Sequence, residues 1–225
     1  MKRRLLVITL VLAAAASATA QTSPRPTPPP KPAELADPHA GHQMGAQPQP
    51  QTAAQKYFTD VELLDQDGRK VRFYSDLLQG KTVIINAFFT TCTSVCPPMN
   101  RNLEKVQQAL GDRLGKDVFI LSLSVDPETD TPPRLKEYAQ RFHARAGWLF
   151  LTGKKENVEW ALYKVGQYVE AKDDHTTIVI VGNEATGLWK KALGMAKPEE
   201  LIQIVKSVAD DKGEDETTGA KGESK

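Results

Sequence analysis

Apolar residues change their spacing several times between residues 61 and 208, and each spacing predicts a different element. Residues 83–89 and 118–125 are mostly apolar over the length of a strand, which is typical of strands buried on both faces. Four other stretches repeat their apolar residues at helical spacing, which predicts four amphipathic helices. Their inward-facing positions are Met99, Leu103, Val106 and Leu110; Leu135, Tyr138, Ala139 and Phe142; Val158, Ala161, Leu162 and Val165; and Leu201, Ile202, Val205 and Val208.

Two further regions have the pattern of β-hairpins. Residues 61–73 alternate apolar and polar side chains around an Asp-Gln-Asp-Gly turn, and residues 177–181 and 188–193 flank a second turn. Residues 148–151 are a short predicted strand. Alternating strands and helices predict a parallel core, and the closing hairpin adds an antiparallel edge. The pattern therefore predicts an α/β, thioredoxin-like fold, with a central mixed sheet flanked by helices and an N-terminal β-hairpin extension.

The two ends of the chain lack the pattern of a folded domain. Residues 1–20 contain basic residues, a short apolar run and small residues, which predict a secretory signal peptide cleaved after Ala20. We therefore expect export to the periplasm, and an uncleaved inner-membrane anchor facing the periplasm is the alternative. Residues 21–54 form a Pro-rich linker and residues 210–225 a charged tail, and both are predicted to be disordered. Residues 55–209 remain as one thioredoxin-like domain.

Charge and cysteine content exclude several classes of protein. The 29 Lys and Arg residues balance 28 Asp and Glu residues, so a strongly basic nucleic-acid-binding protein is excluded. Two cysteines are too few for a multi-disulfide scaffold, a four-cysteine zinc module or a four-thiolate iron–sulfur cluster. We expect a monomer that contacts a membrane only through a partner or an uncleaved signal anchor.

Cys92 and Cys96 lie where the first buried strand is predicted to end and a helix to begin. Ligands of open α/β sheets collect at the carboxyl ends of strands, and a helix N-terminus stabilises thiolates. Residues four apart on a helical turn share a face. The pair could therefore form a redox-active disulfide or hold a soft metal ion such as Cu(I) or zinc. A structural disulfide is the alternative, although so short a loop adds little stability.

His175 is the third candidate, because it precedes the last pair of predicted strands. In thioredoxin-like topology that loop returns beside the N-terminus of the first helix, where a neutral imidazole would complete a site of two thiolates and one histidine. A solvated loop residue is the alternative. His143 lies at the end of the second predicted helix, between Arg141 and Arg145, and is interpreted as a solvated or helix-end residue.

Two acidic residues, Asp126 and Asp130, follow the second buried strand. The favoured interpretation is an Asp-Pro turn followed by a helix that Asp130 or Thr131 caps and that two prolines open. An acidic rim that docks a partner protein is the alternative.

Three stretches, taken together, resemble the Sco/SenC family. They are Cys-Thr-Ser-Val-Cys-Pro at 92–97, Val-Asp-Pro-Glu-Thr-Asp-Thr-Pro at 125–132 and Asp-His-Thr at 174–176. The resemblance covers about residues 57–208 and implies a thioredoxin fold with copper bound by Cys92, Cys96 and His175. It also implies a role in maturing the CuA centre of cytochrome c oxidase, by copper delivery, by thiol reduction, or by both. Many family members keep a membrane anchor, whereas the apolar segment here looks short and cleavable.

The expected partners are therefore a CuA-bearing oxidase subunit and another periplasmic copper chaperone as the donor. Cu(I) suits two thiolates and one imidazole, Cu(II) could be held with a water, and formation of a Cys92–Cys96 disulfide would release the metal. One alternative function is a metal-free thiol–disulfide oxidoreductase, which the wider cysteine spacing and His175 disfavour. Another is a peroxidase, which the paired cysteines and the following proline fit less well.

The predicted linker contains one further group of metal-binding residue types. His39, His42 and Met44 lie within six residues of one another and suit copper in either oxidation state. Chance composition of a polar linker is the alternative.

Overall fold

The computed structural model describes residues 27–32 and 51–213. The predicted signal peptide, the residues His39, His42 and Met44, and the chain after residue 213 lie outside the described residues. The strands are β1 (Glu62–Leu64), β2 (Lys70–Arg72), β3 (Thr82–Phe88), β4 (Val118–Ser124), β5 (Trp148–Leu151), β6 (Ile178–Asn183) and β7 (Leu188–Leu193). The helices are α1 (Ala53–Phe58), α2 (Cys96–Leu110), α3 (Pro132–Arg141), α4 (Lys155–Lys164) and α5 (Pro198–Ala209).

Five strands form a central mixed sheet in the order β5-β4-β3-β6-β7. The strands β3, β4 and β5 are parallel to one another. β6 pairs antiparallel with β3, and β7 pairs antiparallel with β6. Every residue of β3 is buried, as its apolar sequence predicts for a central strand. The predicted thioredoxin-like sheet with an antiparallel edge is confirmed.

Helices cover both faces of this sheet. Alternate residues of β3 point to opposite sides, so Ile84 packs in a core with α2, α3 and α5, whereas Ile85 packs in a core with α1 and α4. The helical positions expected to face inward in α2 are all buried. Burial of these two apolar layers, rather than the propensity of any one helix, fixes the orientation of α2 on the sheet.

The N-terminal hairpin is present as β1 and β2, which pair antiparallel across the predicted turn. Two adjoining elements were not predicted. The helix α1 begins at Ala53, inside the predicted linker, with Thr52 and Gln55 forming a reciprocal capping box. A π-helix occupies Phe73–Leu78. Both elements contribute buried aromatic residues to the core on the α4 side of the sheet.

The carboxyl ends of β3 and β4 meet the start of β6 at one edge of the sheet, since the three strands lie side by side. The N-terminus of α2 lies at this edge. None of the helices within residues 27–32 and 51–213 is long and apolar enough to cross a membrane.

Candidate metal and thiol site

Cys92 and Cys96 lie at the expected end of β3, but only Cys96 is helical. Cys96 is the first residue of α2, whereas Cys92 lies in the preceding loop, where its backbone N–H donates to the carbonyl of Phe89 at 3.1 Å. The expectation that the two residues share one helical turn is therefore wrong. The loop nevertheless returns Cys92 to the helix end, because the backbone N–H of Cys96 donates to Cys92 Sγ at 3.4 Å.

His175 meets the cysteines, as the topology predicted. Its Nε2 lies 3.3 Å from Cys96 Sγ, and its Nδ1 lies 2.8 Å from the backbone carbonyl of Lys172. A carbonyl can only accept a hydrogen bond, so Nδ1 carries a proton, and the neutral form of the ring presents the Nε2 lone pair to Cys96. The backbone of Lys172 therefore selects the tautomer that is suited to binding a metal or accepting a proton from Cys96.

The three side chains form a compact cluster. Both sulfurs and a ring nitrogen of His175 lie within 4.8 Å of one another, and both thiols are free. Cys92 and Cys96 are buried, whereas His175 is half-buried and closes the side toward solvent. Within residues 27–32 and 51–213 this is the one cluster of at least three Cys, His, Asp or Glu side chains that could hold a metal ion.

The two thiols have opposite acidities. Burial alone would raise the pKa of Cys92, but hydrogen bonds from the Cys96 side chain and backbone and from Ser94 bring that pKa below its ordinary value. Burial, together with the proximity of Cys92, raises the pKa of Cys96 far above its ordinary value. In the reduced protein Cys92 is therefore the more acidic of the two thiols and Cys96 the less acidic, with His175 Nε2 beside Cys96.

Asp130 supports the loop between β3 and α2 from below. Its carboxylate accepts hydrogen bonds from Ser124 Oγ at 2.6 Å, from Thr90 Oγ1 at 2.5 Å and from the backbone N–H of Thr90 at 3.2 Å. Thr131 is the residue that precedes α3, and it makes no side-chain capping bond. Thr131 is therefore the N-cap residue of a helix that two prolines open, as predicted, but without a side-chain cap. Asp130 does not cap the helix and is instead fully buried beneath the cysteine loop.

Burial raises the pKa of Asp130, although hydrogen bonds from Ser124 and Thr90 oppose that shift. The predicted Asp-Pro turn is present, since the backbone N–H groups of Thr129 and Asp130 both donate to the carbonyl of Asp126. Asp126 itself forms an ion pair with Lys172.

A buried polar chain that the sequence analysis missed anchors the first turns of α2. Asn86 Nδ2 donates to Asn100 Oδ1 at 3.4 Å, and Asn100 Nδ2 donates to Tyr138 OH at 3.1 Å. Asn86 also accepts a hydrogen bond from Ser122, which accepts one from Trp148. An asparagine in the middle of the apolar stretch 83–89 was the available signal, because a buried amide needs partners.

His143 follows α3 and contacts Glu104 of α2, away from the cysteines. Its Nδ1 lies 2.6 Å from Glu104 Oε1, and its side chain is 77% exposed. The interpretation of His143 as a solvated residue outside the metal site is confirmed.

Comparison with known proteins identifies the family of this chain. Residues 49–210 match the model of the family described as SCO1/SenC, which is well over half of the chain. The chain belongs to the SCO1/SenC family. A SCO2-like protein of Rickettsia conorii is 33% identical over 158 residues, covering 66% of this chain and 75% of the relative. A SCO1 protein homologue of Bacillus subtilis is 34% identical over 118 residues, which cover 51% of this chain and 60% of that relative.

Solved SCO1/SenC structures share the fold. BsSco, described as a member of the Sco family of cytochrome c oxidase assembly proteins with a disulfide switch, is 29% identical with a TM-score of 0.57. The alignment covers 69% of this chain and 94% of BsSco. ScoI of Bradyrhizobium japonicum, solved with copper bound, is 28% identical with a TM-score of 0.55, and the alignment covers 66% of this chain and 96% of ScoI.

Proposed function

We propose that this protein is an exported copper-binding assembly factor for the CuA centre of a respiratory cytochrome c oxidase. In this proposal Cys92, Cys96 and His175 hold the copper ion, which is the cargo. The observation that carries it is the convergence of two free thiols and a ring nitrogen within 4.8 Å at the end of the sheet. Family membership supports the assembly role, since BsSco is described as belonging to a family of cytochrome c oxidase assembly proteins.

The donor set fits a soft metal ion. Thiolates favour Cu(I), and an imidazole with a free Nε2 lone pair is a common copper ligand. Two thiolates, one neutral imidazole and Cu(I) have a net charge of −1, which the positive end of α2 partly offsets. Three ligands leave one side of the ion open to an incoming ligand of the oxidase subunit. The copper-bound ScoI structure supports copper as the cargo.

The test is copper binding to the reduced full-length chain, measured by competition with a Cu(I) chelator. We expect one Cu(I) per chain for the wild type. Loss of a residue that only supports a metal ligand typically weakens metal binding by about 10- to 100-fold. We therefore expect Cys92→Ala, Cys96→Ala and His175→Ala, which remove ligands, to weaken it by at least about 100-fold.

His143→Ala is the matched control, because it removes an exposed histidine that pairs with Glu104 instead of with sulfur. This variant should bind copper as the wild type does. Retention of wild-type affinity by Cys96→Ala or His175→Ala would contradict the proposed ligand set.

A second function, thiol–disulfide exchange with the cysteines of the oxidase subunit, is favoured by the opposite pKa shifts of the two thiols. The Cys92 thiolate would attack a target disulfide, forming a mixed disulfide and releasing one target thiolate. This step removes the negative charge of Cys92, which is one cause of the raised pKa of Cys96. Cys96 could then give its proton to the released target thiolate and attack Cys92 Sγ, which releases the second target thiolate. The target gains two electrons and the chain keeps a disulfide.

Reduction of an oxidised CuA domain separates the two functions. If thiol exchange dominates, the copper-free wild type should reduce the domain rapidly, and His175→Ala should do so while binding copper weakly. If copper delivery dominates, the copper-loaded protein should metallate an already reduced domain, and His175→Ala should fail in that reaction.

A further inference from the structure

The loop that carries His175 is attached to the rest of the site through Lys172. The backbone carbonyl of Lys172 accepts a hydrogen bond from His175 Nδ1 at 2.8 Å and another from the backbone N–H of His175 at 3.3 Å. Lys172 begins the short 3-10 turn Lys172–Asp174 that leads into His175. The position of the Lys172 backbone therefore determines where the imidazole lies.

The side chain of Lys172 contacts the opposite wall of the site. Its Nζ lies 2.7 Å from Asp126 Oδ2, in the turn after β4, and 5.3 Å from the ring centroid of Phe89, just after β3. Phe89 in turn packs edge-on against the ring of His175, with the centroids 5.2 Å apart. One side chain thus connects the histidine loop to the ends of two strands and to the residue that supports the imidazole.

Burial and charge favour this contact over a freely moving lysine. The side chain of Asp126 is 12% exposed and that of Lys172 is 42% exposed, so the ion pair is partly shielded from water. Partial burial opposes ionisation of Asp126, but hydrogen bonds from Lys172 and Thr129 hold the pKa of Asp126 below its ordinary value. Both groups of the ion pair are therefore charged at neutral pH.

We propose that Lys172 is a positioning residue, which fixes His175 beside the two thiols by binding Asp126 and Phe89. We call these three residues the Lys172 latch. Closed, the latch holds the Nε2 lone pair toward Cys96, and its opening lets the histidine loop move away from the thiols. The effect on copper release rests on the proposed function, whereas the effect on the imidazole itself is independent of copper.

Three variants of the full-length chain isolate the latch. Lys172→Met removes the charge and keeps the backbone carbonyl and most of the apolar stem. Lys172→Arg restores a cation that can bind both the carboxylate and the ring. Lys155→Met is the matched control, because Lys155 lines the same surface cavity as Lys172 and Asp126 but begins α4 instead of the histidine loop.

The first measurement uses the reduced, metal-free protein and follows the imidazole nitrogens of His175 by long-range ¹H–¹⁵N NMR. In the wild type we expect the spectrum of a single tautomer protonated at Nδ1. Lys172→Met should move the spectrum toward a mixture of the two tautomers, whereas Lys172→Arg and Lys155→Met should keep the wild-type spectrum. An unchanged His175 spectrum in Lys172→Met, or an equal change in Lys155→Met, would overturn the proposal.

The second measurement is the rate at which Cu(I) passes from the loaded protein to a chelator. A partly shielded ion pair and a cation–π contact of ordinary strength predict a release rate about three- to thirtyfold faster in Lys172→Met. Release from Lys172→Arg should stay within about twofold of the wild type, since both contacts are kept. A wild-type release rate in Lys172→Met would overturn the role of the latch in copper retention.

The two measurements distinguish the latch from the proposed function. A wild type that binds no copper, with His175 altered in Lys172→Met, would contradict the proposed function and support the latch. Normal copper binding, with His175 unaltered in Lys172→Met, would support the proposed function and overturn the latch.

Discussion

The described chain contains two histidines beside α2, and their surroundings differ. At the first residue of α2, His175 meets the buried thiol of Cys96 through Nε2, while its Nδ1 donates to a backbone carbonyl. Glu104 lies eight positions along the same helix, and its carboxylate meets Nδ1 of His143, whose side chain is 77% exposed. Arg101 also binds Glu104 at 3.0 Å. The first region is a buried soft donor set, and the second is a solvated ion-pair network.

This difference shows that burial and partner chemistry, rather than the presence of a histidine, produce a metal site. In the His175 region, both thiols are buried beneath the imidazole, and Asp130 supports the loop that carries Cys92. The His143 region offers His143 and Glu104 as possible ligands. Among residues 27–32 and 51–213, no third Cys, His, Asp or Glu lies close enough to form a metal-binding group with them. Removing Asp130 should therefore lower the free energy of unfolding strongly, whereas removing the ion pair of Glu104 should lower it only weakly.

The largest expected effect comes from Asp130→Ala. This substitution leaves the hydroxyls of Ser124 and Thr90 and the backbone N–H of Thr90 without their carboxylate partner. Buried donors left without partners and loss of the network should lower the free energy of unfolding by about 2–4 kcal/mol. Chemical denaturation of the reduced, metal-free chain measures this change.

Asp112→Ala is the control, since Asp112 is an exposed acidic residue in the turn after α2. It should change the free energy of unfolding by no more than about 0.5 kcal/mol. A similarly small effect of Asp130→Ala would show that the cysteine loop does not depend on its buried carboxylate.

The fold was largely predictable from the sequence because apolar spacing reports burial directly. The buried strands, the four amphipathic helices and both hairpins follow from positions such as Ile84, Leu103 and Val181, which pack in the core. The helix α1 and the π-helix were not predicted, because elements of six residues are too short to show a repeating spacing of apolar side chains. Tertiary packing against α4 and the sheet, rather than their own pattern, stabilises them.

The site was predictable in its residues but not in its supports. Cys92, Cys96 and His175 are rare residue types at topologically defined positions, so the fold brings them together. The interactions of Asp130 and Lys172 depend on side-chain direction across segments distant in sequence. Local turn chemistry suggested that Asp130 is a helix cap, whereas long-range hydrogen bonds to Thr90 determine its actual role.

An intermediate effect is expected when the two thiols of the His175 region are compared with each other. In the reduced, metal-free protein, Cys92 should react with iodoacetamide at pH 7.5 at least about tenfold faster than Cys96, because the thiolate is the nucleophile. The lowered pKa of Cys92 should keep its reaction rapid as the pH falls below the ordinary thiol pKa of about 8.5. Peptide mass spectrometry after timed quenching measures both rates.

Cys96→Ala sharpens this comparison, because the Cys96 side chain is the strongest of the contacts that lower the pKa of Cys92. Alkylation of Cys92 at pH 7.5 should therefore be slower in this variant than in the wild type. Both cysteines should react at one rate in denaturant, where these contacts are absent. Equal rates in the folded wild type would contradict the assignment of Cys92 as the more acidic thiol.

The smallest effect is expected in the His143 region. Glu104→Gln removes the carboxylate that binds His143 and Arg101, whose side chains are 77% and 57% exposed. Water screens such pairs, so the free energy of unfolding at pH 6 should fall by less than about 1 kcal/mol. Partial burial opposes ionisation of Glu104, but His143 and Arg101 bring its pKa below the ordinary value. The stabilisation is therefore present above the pKa of the unfolded glutamate and is lost as the pH falls through the lower folded value.

Denaturation of Glu104→Gln and the wild type should consequently differ at pH 6 and converge toward pH 3, below the ordinary glutamate pKa of about 4.3. Copper affinity should be the same in both, because the ion pair lies eight positions along α2 from Cys96. A weakened copper site in Glu104→Gln would show that α2 couples the two regions. An unchanged site would show that a histidine can pair with a carboxylate of α2 without contributing to metal binding.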